Sequence, residues 1–390
     1  MEVKQIATFV NAATLAALGK TADGTPVAVI NEDLSNVVDV GTAVFDANKY
    51  TAYLEALINR IGRTIFVDRK YEGKAPKVLR DGWEYGSVMM KVSADLSEAQ
   101  ENPSWELVNG AEYSPNVFKK SKVEVKFYNQ KTTLEIQISI TRLQLKQSFE
   151  SAMQLNQFLE MLYVWLENSM TVKMDELILR TINNMSAETV YADYQGAALS
   201  GASHAKAVNL LKLYNDEFGT ALTTAQAMHT PDFLRFASIV LSRYIDRLQQ
   251  MSRVFNVGNQ ARFTPRDKLH VVLHTDLLSA ANGYLQSGTF HDEYTALPMH
   301  ETVAYWQGTG GDFALANTGR VNVTTAQGHA VDIPCVVGVM FDHDALGVLN
   351  DEARTTNQWN AAAEFWNEWH KKESAYFNDF NEQFVVFFLA

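Results

Sequence analysis

Cysteine is nearly absent: Cys335 is the only one in 390 residues. An internal disulfide and a Cys-rich zinc site are both excluded, which fits a reducing compartment. Long apolar runs are missing as well. No stretch of roughly 18 or more apolar residues occurs, and this speaks against a membrane span. Residues 5–18 (QIATFVNAATLAAL) imitate a secretory signal only faintly. Their basic flank is Lys4 beside Glu2, and Asn11 and Thr14 interrupt the apolar run, so they read as an N-terminal arm. Positive charge is in deficit, with 33 basic against 45 acidic residues and a formal net charge of −12. An overall basic footprint for nucleic acid is therefore excluded. The same charge keeps free copies apart in solution and makes self-association sensitive to salt. Low-complexity tracts and fixed-period repeats are also lacking.

What is present is ample material for a core, 47% hydrophobic and 11% aromatic residues, on a length that suggests two or three domains. Residues 1–45 are small, polar and valine-rich, and predict an extended arm. A helix is predicted from Asp46 to Ile61, with Asp46 as N-cap and Tyr50, Tyr53, Leu54, Leu57 and Ile61 on one stripe. From Phe66 to Thr141 the period changes to two. Val88, Met90, Val92, Ala94 and Leu96 alternate with polar neighbours, as do Val123, Val125 and Phe127, then Leu134, Ile136, Ile138 and Ile140. With roughly twenty residues per arm at about 3.3 Å each, these strands predict a two-stranded ribbon on the order of 65 Å long. Such a ribbon is marginal alone and needs a surface to lie on, which a neighbouring subunit would supply.

The helical period then dominates. Leu145, Phe149, Ala152, Leu155, Leu159, Leu162, Leu166, Met170, Met174 and Leu177 recur at helical spacing, with no Gly or Pro between Thr141 and Thr181. Phe158, Met161 and Trp165 add a second apolar face, so the segment reads as a helix buried on two sides, about 55 Å long if it continues to Ile182. Further on, Thr230-Pro231 opens a helix, Leu269–His274 reads as a short buried strand, and Thr275 caps a helix through Leu285. Ile333–Met340 and Phe384–Leu389 read as strands. Between those two, the stretch with Trp359, Phe365, Trp366, Trp369 and Phe377 looks helical.

Residue patterns that would carry chemistry fail one by one. Asp342-His343-Asp344 is the most metal-like cluster, but in a strand or turn His343 points away from the two carboxylates. His300-Glu301 opens an H-E-x-x-H pattern that ends in Ala304. Gly308-Thr309-Gly310-Gly311 lacks the G-K-[ST] ending of a phosphate loop, and no G-x-S-x-G elbow exists. Cys335 sits in an apolar run and reads as a small buried hydrophobe. Catalytic, cofactor-binding and metal-binding residues are accordingly all assigned as none, and an enzyme is disfavoured. Arg69, Lys70, Lys74, Lys77, Arg80, Lys119, Lys120, Lys122 and Lys126 make the ribbon locally basic. They predict either a solvated face or pairing with acidic patches of a neighbouring subunit.

The order of parts resembles that of the major capsid proteins of tailed bacteriophages, whose fold is shared with herpesvirus shells and encapsulins. The resemblance is carried by Thr132–Phe149 (TTLEIQISITRLQLKQSF), Val336–Val348 (VVGVMFDHDALGV) and Phe377–Leu389 (FNDFNEQFVVFFL). It implies an α+β fold with an N-terminal arm (1–45), an extended β-ribbon loop (66–141) and an axial domain (201–330). A peripheral domain would be built from 46–65, from 142–200 with the spine helix, and from 331–390 with the return strands. It implies a structural protein that self-assembles through pentamers and hexamers into an icosahedral or prolate shell around double-stranded DNA. An encapsulin-like nanocompartment is the alternative. Implied partners are other copies, scaffolding, portal and decoration proteins, and packaged DNA contacted without sequence preference, with no membrane. The implied location is the virion, after assembly in the host cytoplasm. Some members of the family join a loop lysine to a partner's asparagine. Lys70, Lys74 or Lys77 with Asn350, Asn357 or Asn360 would be the residues, but no motif fixes that pairing.

Overall fold

A computed structural model describes residues 3–20, 24–31, 35–46, 49, 52–53, 75–81, 88–96, 99, 101–102, 104, 106–113, 116, 120, 123–143, 152–286, 299–307, 319–325 and 328–390. In chain order the elements are α1 (Val3–Leu18), α2 (Val37–Asp46), β1 (Leu79–Asp81), β2 (Met89–Ala94), β3 (Val123–Tyr128) and β4 (Lys131–Thr141). Then come α3 (Ala152–Tyr194), β5 (Ala207–Asn209), α4 (Leu210–Phe218), α5 (Thr224–Ala227), α6 (Pro231–Leu248), β6 (Leu269–His274) and α7 (Thr275–Gln286). The chain closes with β7 (Glu301–Val303), β8 (Val321–Thr324), β9 (Ala330–Ile333), β10 (Val336–Asp342), β11 (Leu346–Asn360), β12 (Phe365–Asn378) and β13 (Phe384–Phe388). The chain forms two compact units. One comprises Met1–Lys74, Lys131–Leu177 and Leu349–Ala375; the other comprises Ala75–Gln130, Ile178–Val348 and Tyr376–Ala390.

In the first unit, the stretch expected to be extended carries two helices instead. Ala7, Val10, Ala13, Thr14 and Ala17 recur at helical spacing and are buried, a stripe that the small residues make easy to overlook. Asn11 ties α1 to the strand-like segment after it, its amide donating to the Ile30 carbonyl at 2.8 Å. Asp46 ends α2 and so does not cap the start of the helix predicted to Ile61, most of which lies outside the described residues. The stretch predicted as an aromatic helix is a pair of long strands, β11 and β12. On β12 the buried positions are Trp366, Glu368, His370, Lys372 and Ser374, followed by Ala375 and Phe377. Period two is present, but polar residues occupy the inner face and hide it. Burial pushes the Glu368 carboxyl above its ordinary range, outweighing His370, whose Nε2 lies 3.5 Å away.

The strand Leu134–Ile140, expected in the ribbon, belongs elsewhere, and this too is a correction. As part of β4 it pairs antiparallel with β12, from Lys131 opposite Ala375 to Thr141 opposite Phe365. Alternation identifies a strand with one buried face, whereas the partner here lies more than two hundred residues downstream. A long helix is present in the segment read as a spine, from Ala152, and runs further than the apolar stripe, to Tyr194 over 43 residues. Its last turns lie in the second unit, where Ser186 and Thr189 are buried by donating to the carbonyls of Ile182 and Met185.

The second unit is built on a five-stranded sheet in the order β5-β13-β10-β6-β7. β10 pairs antiparallel with both β13 and β6, so Val272, Val339 and Val386 lie side by side across three strands. β5 on β13 and β7 on β6 are parallel. Every residue of β10 and β13 is buried, which is why these strands read as apolar runs without alternation. At Gly338 a Cβ would lie 2.7 Å from Leu273 Cδ2 and 3.0 Å from the Val272 carbonyl, so only glycine lets β6 approach. One face is covered by α4, α6 and α7, with Tyr214, Phe233 and Leu241 packed against Leu273, Met340 and Phe387.

α4 is capped at both ends, by the Asn209 side chain accepting from Lys212 N and by Gly219 in the left-handed region. α6 begins at Pro231 as the sequence predicts, yet Thr230 makes no side-chain cap; its hydroxyl donates to the Gln226 carbonyl at 2.8 Å. The predicted strand 333–340 is two, because Pro334 and Cys335 separate β9 from β10. These return strands complete the sheet of β5, β6 and β7, so they join the segment 201–330 and do not stand apart from it. No helix among the described residues is long and apolar enough to cross a membrane.

Candidate assembly surface

β2 and β3 form an antiparallel hairpin, with Met90 opposite Phe127, Val92 opposite Val125 and Ala94 opposite Val123. The six-residue strands extend about 20 Å, well short of the predicted reach. The alternation read from the sequence is real, and the apolar face is the one turned to solvent. Phe127 is 66% exposed, Met90 59% and Val92 57%, and Val123 and Val125 lie beside them in solvent. Lys91, Ser93, Lys126 and Tyr128 occupy the half-buried face. Isolated exposed hydrophobes need no explanation, but a contiguous apolar stripe marks an interaction site.

The polar face is held by the turn that precedes β13. The Lys91 ammonium lies 2.6 Å from Asp379 Oδ2 and 2.8 Å from Glu382 Oε1, and it donates to the Asp344 carbonyl at 3.1 Å. Lys126 reaches Asp379 Oδ1 at 3.0 Å, and the Asn381 amide donates to Glu124 Oε2 at 2.7 Å. Burial alone would raise the Asp379 carboxyl. Lys91 and Lys126, with the Asn381 backbone N–H, more than offset that and hold it below the ordinary carboxylate range. Burial likewise pulls Lys91 down, and its two carboxylate partners leave it raised overall. Gly258 completes the mount: it donates to the Phe380 carbonyl at 2.7 Å, and a Cβ there would fall 1.9 Å from Asn381 Oδ1. Arg262 adds a contact of 3.5 Å to Glu382.

Asp379→Asn should therefore loosen the hairpin without dissolving the sheet. It removes the carboxylate that two partly buried ammonium groups share, leaving Lys91 with Glu382 alone and Lys126 with Glu124 at 3.9 Å, at a cost of about 2 kcal/mol. Hydrogen exchange should show faster exchange in residues 88–94 and unchanged protection in β10. Because the carboxyl is depressed in the fold, its contribution is complete above about pH 4 and is lost as the pH falls below that. Equal protection of 88–94 in the variant and the native chain would refute the anchoring role.

The basic residues of the ribbon divide accordingly. Lys126 pairs inside the chain, as does Arg80, 3.2 Å from Asp344, so the expected pairing with a neighbour is corrected for both. Arg69, Lys70, Lys74, Lys119 and Lys122 lie outside the described residues, as does the Gly308–Gly311 loop. Asp342-His343-Asp344 is a turn in which Asp342 Oδ1 accepts from Asp344 N at 2.7 Å. Its side chains diverge, His343 toward His270 and Asp344 toward Arg80. No group of three or more potential metal ligands comes together among the described residues. Cys335 is only partly buried, and its thiol is pushed up to about 11, by burial first and by Asp276 second. Asn360 is engaged in the β11–β12 turn, accepting from Ala362 N and Ala363 N. Sequence reasoning misses Lys91, Asp379, Asn381 and Glu382 as a set. The available signal is the FNDFNEQ stretch, polar residues set directly against an apolar strand.

The hairpin is pinned by its charged face and turns a contiguous apolar face to solvent. A model of the Phi29-like phage major capsid protein family matches residues 10–388, and the chain belongs to that family. Solved structures with a similar chain path include the capsid of Staphylococcus phage Andhra, at 11% identity over 82% of this chain and 84% of that one, with a TM-score of 0.46. The capsid of cyanophage P-SCSP1u aligns at 13% identity over 82% and 88%, with a TM-score of 0.47. The mature capsid of bacteriophage PhiM1 aligns at 10% over 83% and 87%, with a TM-score of 0.42. Comparison with curated proteins finds no match. The family assigns the chain to phage capsid shells rather than to the encapsulin-like alternative.

Proposed function

We propose that the β2–β3 hairpin is the clasp by which one copy of this capsid protein holds the next, through pentamers and hexamers, in a closed shell around double-stranded DNA. The single observation that carries this is the apolar stripe of Met90, Val92, Val123, Val125 and Phe127 turned to solvent. Covering side chains already about half shielded is worth roughly 1 kcal/mol each, a modest contact that closed symmetry multiplies. The segment 201–330, with the return strands that complete its sheet, we read as the axial domain; the spine helix and the β4–β12 pair we read as peripheral. The role is structural and not catalytic, the site of action is the virion, and assembly takes place in the host cytoplasm. Scaffolding, portal and decoration proteins are the further partners this reading implies. With a net charge of −12, contact with DNA should be weak, salt-labile and indifferent to sequence. Negative-stain microscopy of the purified protein, from low to high salt, should show shells, or pentameric and hexameric rings. A protein that stays monomeric at every concentration and salt would overturn the proposal.

A further inference from the structure

The segment that leads into the hairpin crosses a row of titratable side chains that the assembly surface does not use. Glu301 of β7 accepts from Lys77 N through Oε2 at 2.7 Å. Its Oε1 lies 3.1 Å from His270 Nδ1, and His270 Nε2 lies 3.0 Å from His343 Nδ1. The His270 ring is stacked on Phe341 at 5.2 Å. The turn that carries His343 is tied to β1, because the Arg80 guanidinium donates to the His343 carbonyl and pairs with Asp344. Lys91 of β2 donates to the Asp344 carbonyl. Both ends of the row thus hold the chain on its way into the hairpin.

Two imidazole nitrogens 3.0 Å apart share one hydrogen between them. With both rings neutral, His270 donates from Nδ1 to Glu301 and accepts at Nε2 from His343. With one extra proton, His270 donates in both directions and His343 accepts. With two, N–H faces N–H, and the contact becomes repulsive. From these geometries we infer that the Glu301–His270–His343 row is a proton-counting latch, which fastens the root of the hairpin at neutral pH and releases it when both histidines are charged. The surrounding charges are balanced. Lys77 and Arg80 come from the β1 side and Lys268 lies 3.8 Å from Asp344, against Glu301, Asp342 and Asp344.

The direction in which the latch opens is set by its parts. His343 is held below its ordinary value by burial first, then by Arg80 and His270, against the opposing pull of Asp344 and Asp342. A histidine depressed in the fold contributes stability that is complete above about pH 6.5 and is lost as the pH falls below it. Glu301 stays ionised through that window: burial raises it, and His270 and Lys77 more than offset the rise. The pH step therefore belongs to His343. The latch acts on the hairpin identified above as the clasp, so its consequence for assembly rests on that reading, but its opening does not.

The test is hydrogen exchange of the full-length protein between pH 7.5 and 5.5, corrected for intrinsic rates, in segments covering residues 77–81 and 342–345. The native chain should lose about tenfold in protection of both segments on acidification, while β13 stays protected. His343→Gln keeps a hydrogen-bonding group but has no proton to gain, and it should flatten the step; His270→Gln is the second variant should the first fail to fold. Protection that is independent of pH in the native chain would overturn the proposal, as would a step that survives in a folded variant. Failure to form shells would refute the clasp and leave this measurement untouched.

Discussion

Removing Phe384–Ala390 should leave no soluble, folded protein. Phe384, Val385, Val386, Phe387, Phe388 and Leu389 are all buried, and β13 lies between β5 and β10 in the second unit. Burial of each such side chain is worth roughly 1.5–3 kcal/mol, so the six together contribute about 10 kcal/mol even against a compact unfolded state. Domain stabilities are typically about 5–15 kcal/mol. Both neighbouring strands would also lose their ladder, and the turn that anchors Lys91 would lose its support. Expression of the truncated chain, circular dichroism and thermal melting decide the matter. A soluble truncation with a cooperative transition near that of the full chain would show the sheet to be self-sufficient without its inner strand.

The second large effect should fall on assembly and spare the fold. Val92→Asp combined with Phe127→Asp places two carboxylates on the solvent face of the hairpin. Neither position supports the second unit, so the melting temperature of the free subunit should move by no more than about 2 °C. Covering those carboxylates with a neighbour would cost about 3 kcal/mol or more per contact, which raises the concentration needed for assembly over a hundredfold. Light scattering and microscopy at matched concentrations measure this. Shells formed by the double variant at the native threshold would remove the hairpin from the interface.

The parts legible in the sequence are those in which one physical signal acts alone. β13 is short and apolar on both faces, β6 has a buried apolar middle, and α6 has its proline at the first position, so local pattern and final structure coincide. β12 reads wrongly because Glu368, His370 and Lys372 stand where apolar residues would have displayed the period. β4 draws the wrong partner because alternation carries no information about which strand completes the pair. The hairpin is the instructive case. Met90 and Val92 announce a strand correctly, and the usual inference from apolar to inward then fails, because the polar face is the one with partners in the chain. Those partners, Asp379, Asn381 and Glu382, are ordinary polar residues of a turn until the fold brings them beneath Lys91 and Lys126.

The distance along the chain between the two halves of that mount has a consequence for the order of events during synthesis. Lys91 and Glu382 are 291 residues apart. At about 5–20 residues per second, the hairpin leaves the ribosome roughly 15–60 s before the turn that fixes it. During that interval its strands have formed no seat, and a nascent chain offers its neighbours a sticky but unaimed surface. Only a polypeptide translated through residue 382 carries both carboxylates that pair with Lys91. Interrupted chains therefore lack the carboxylates on which the polar face of the hairpin rests.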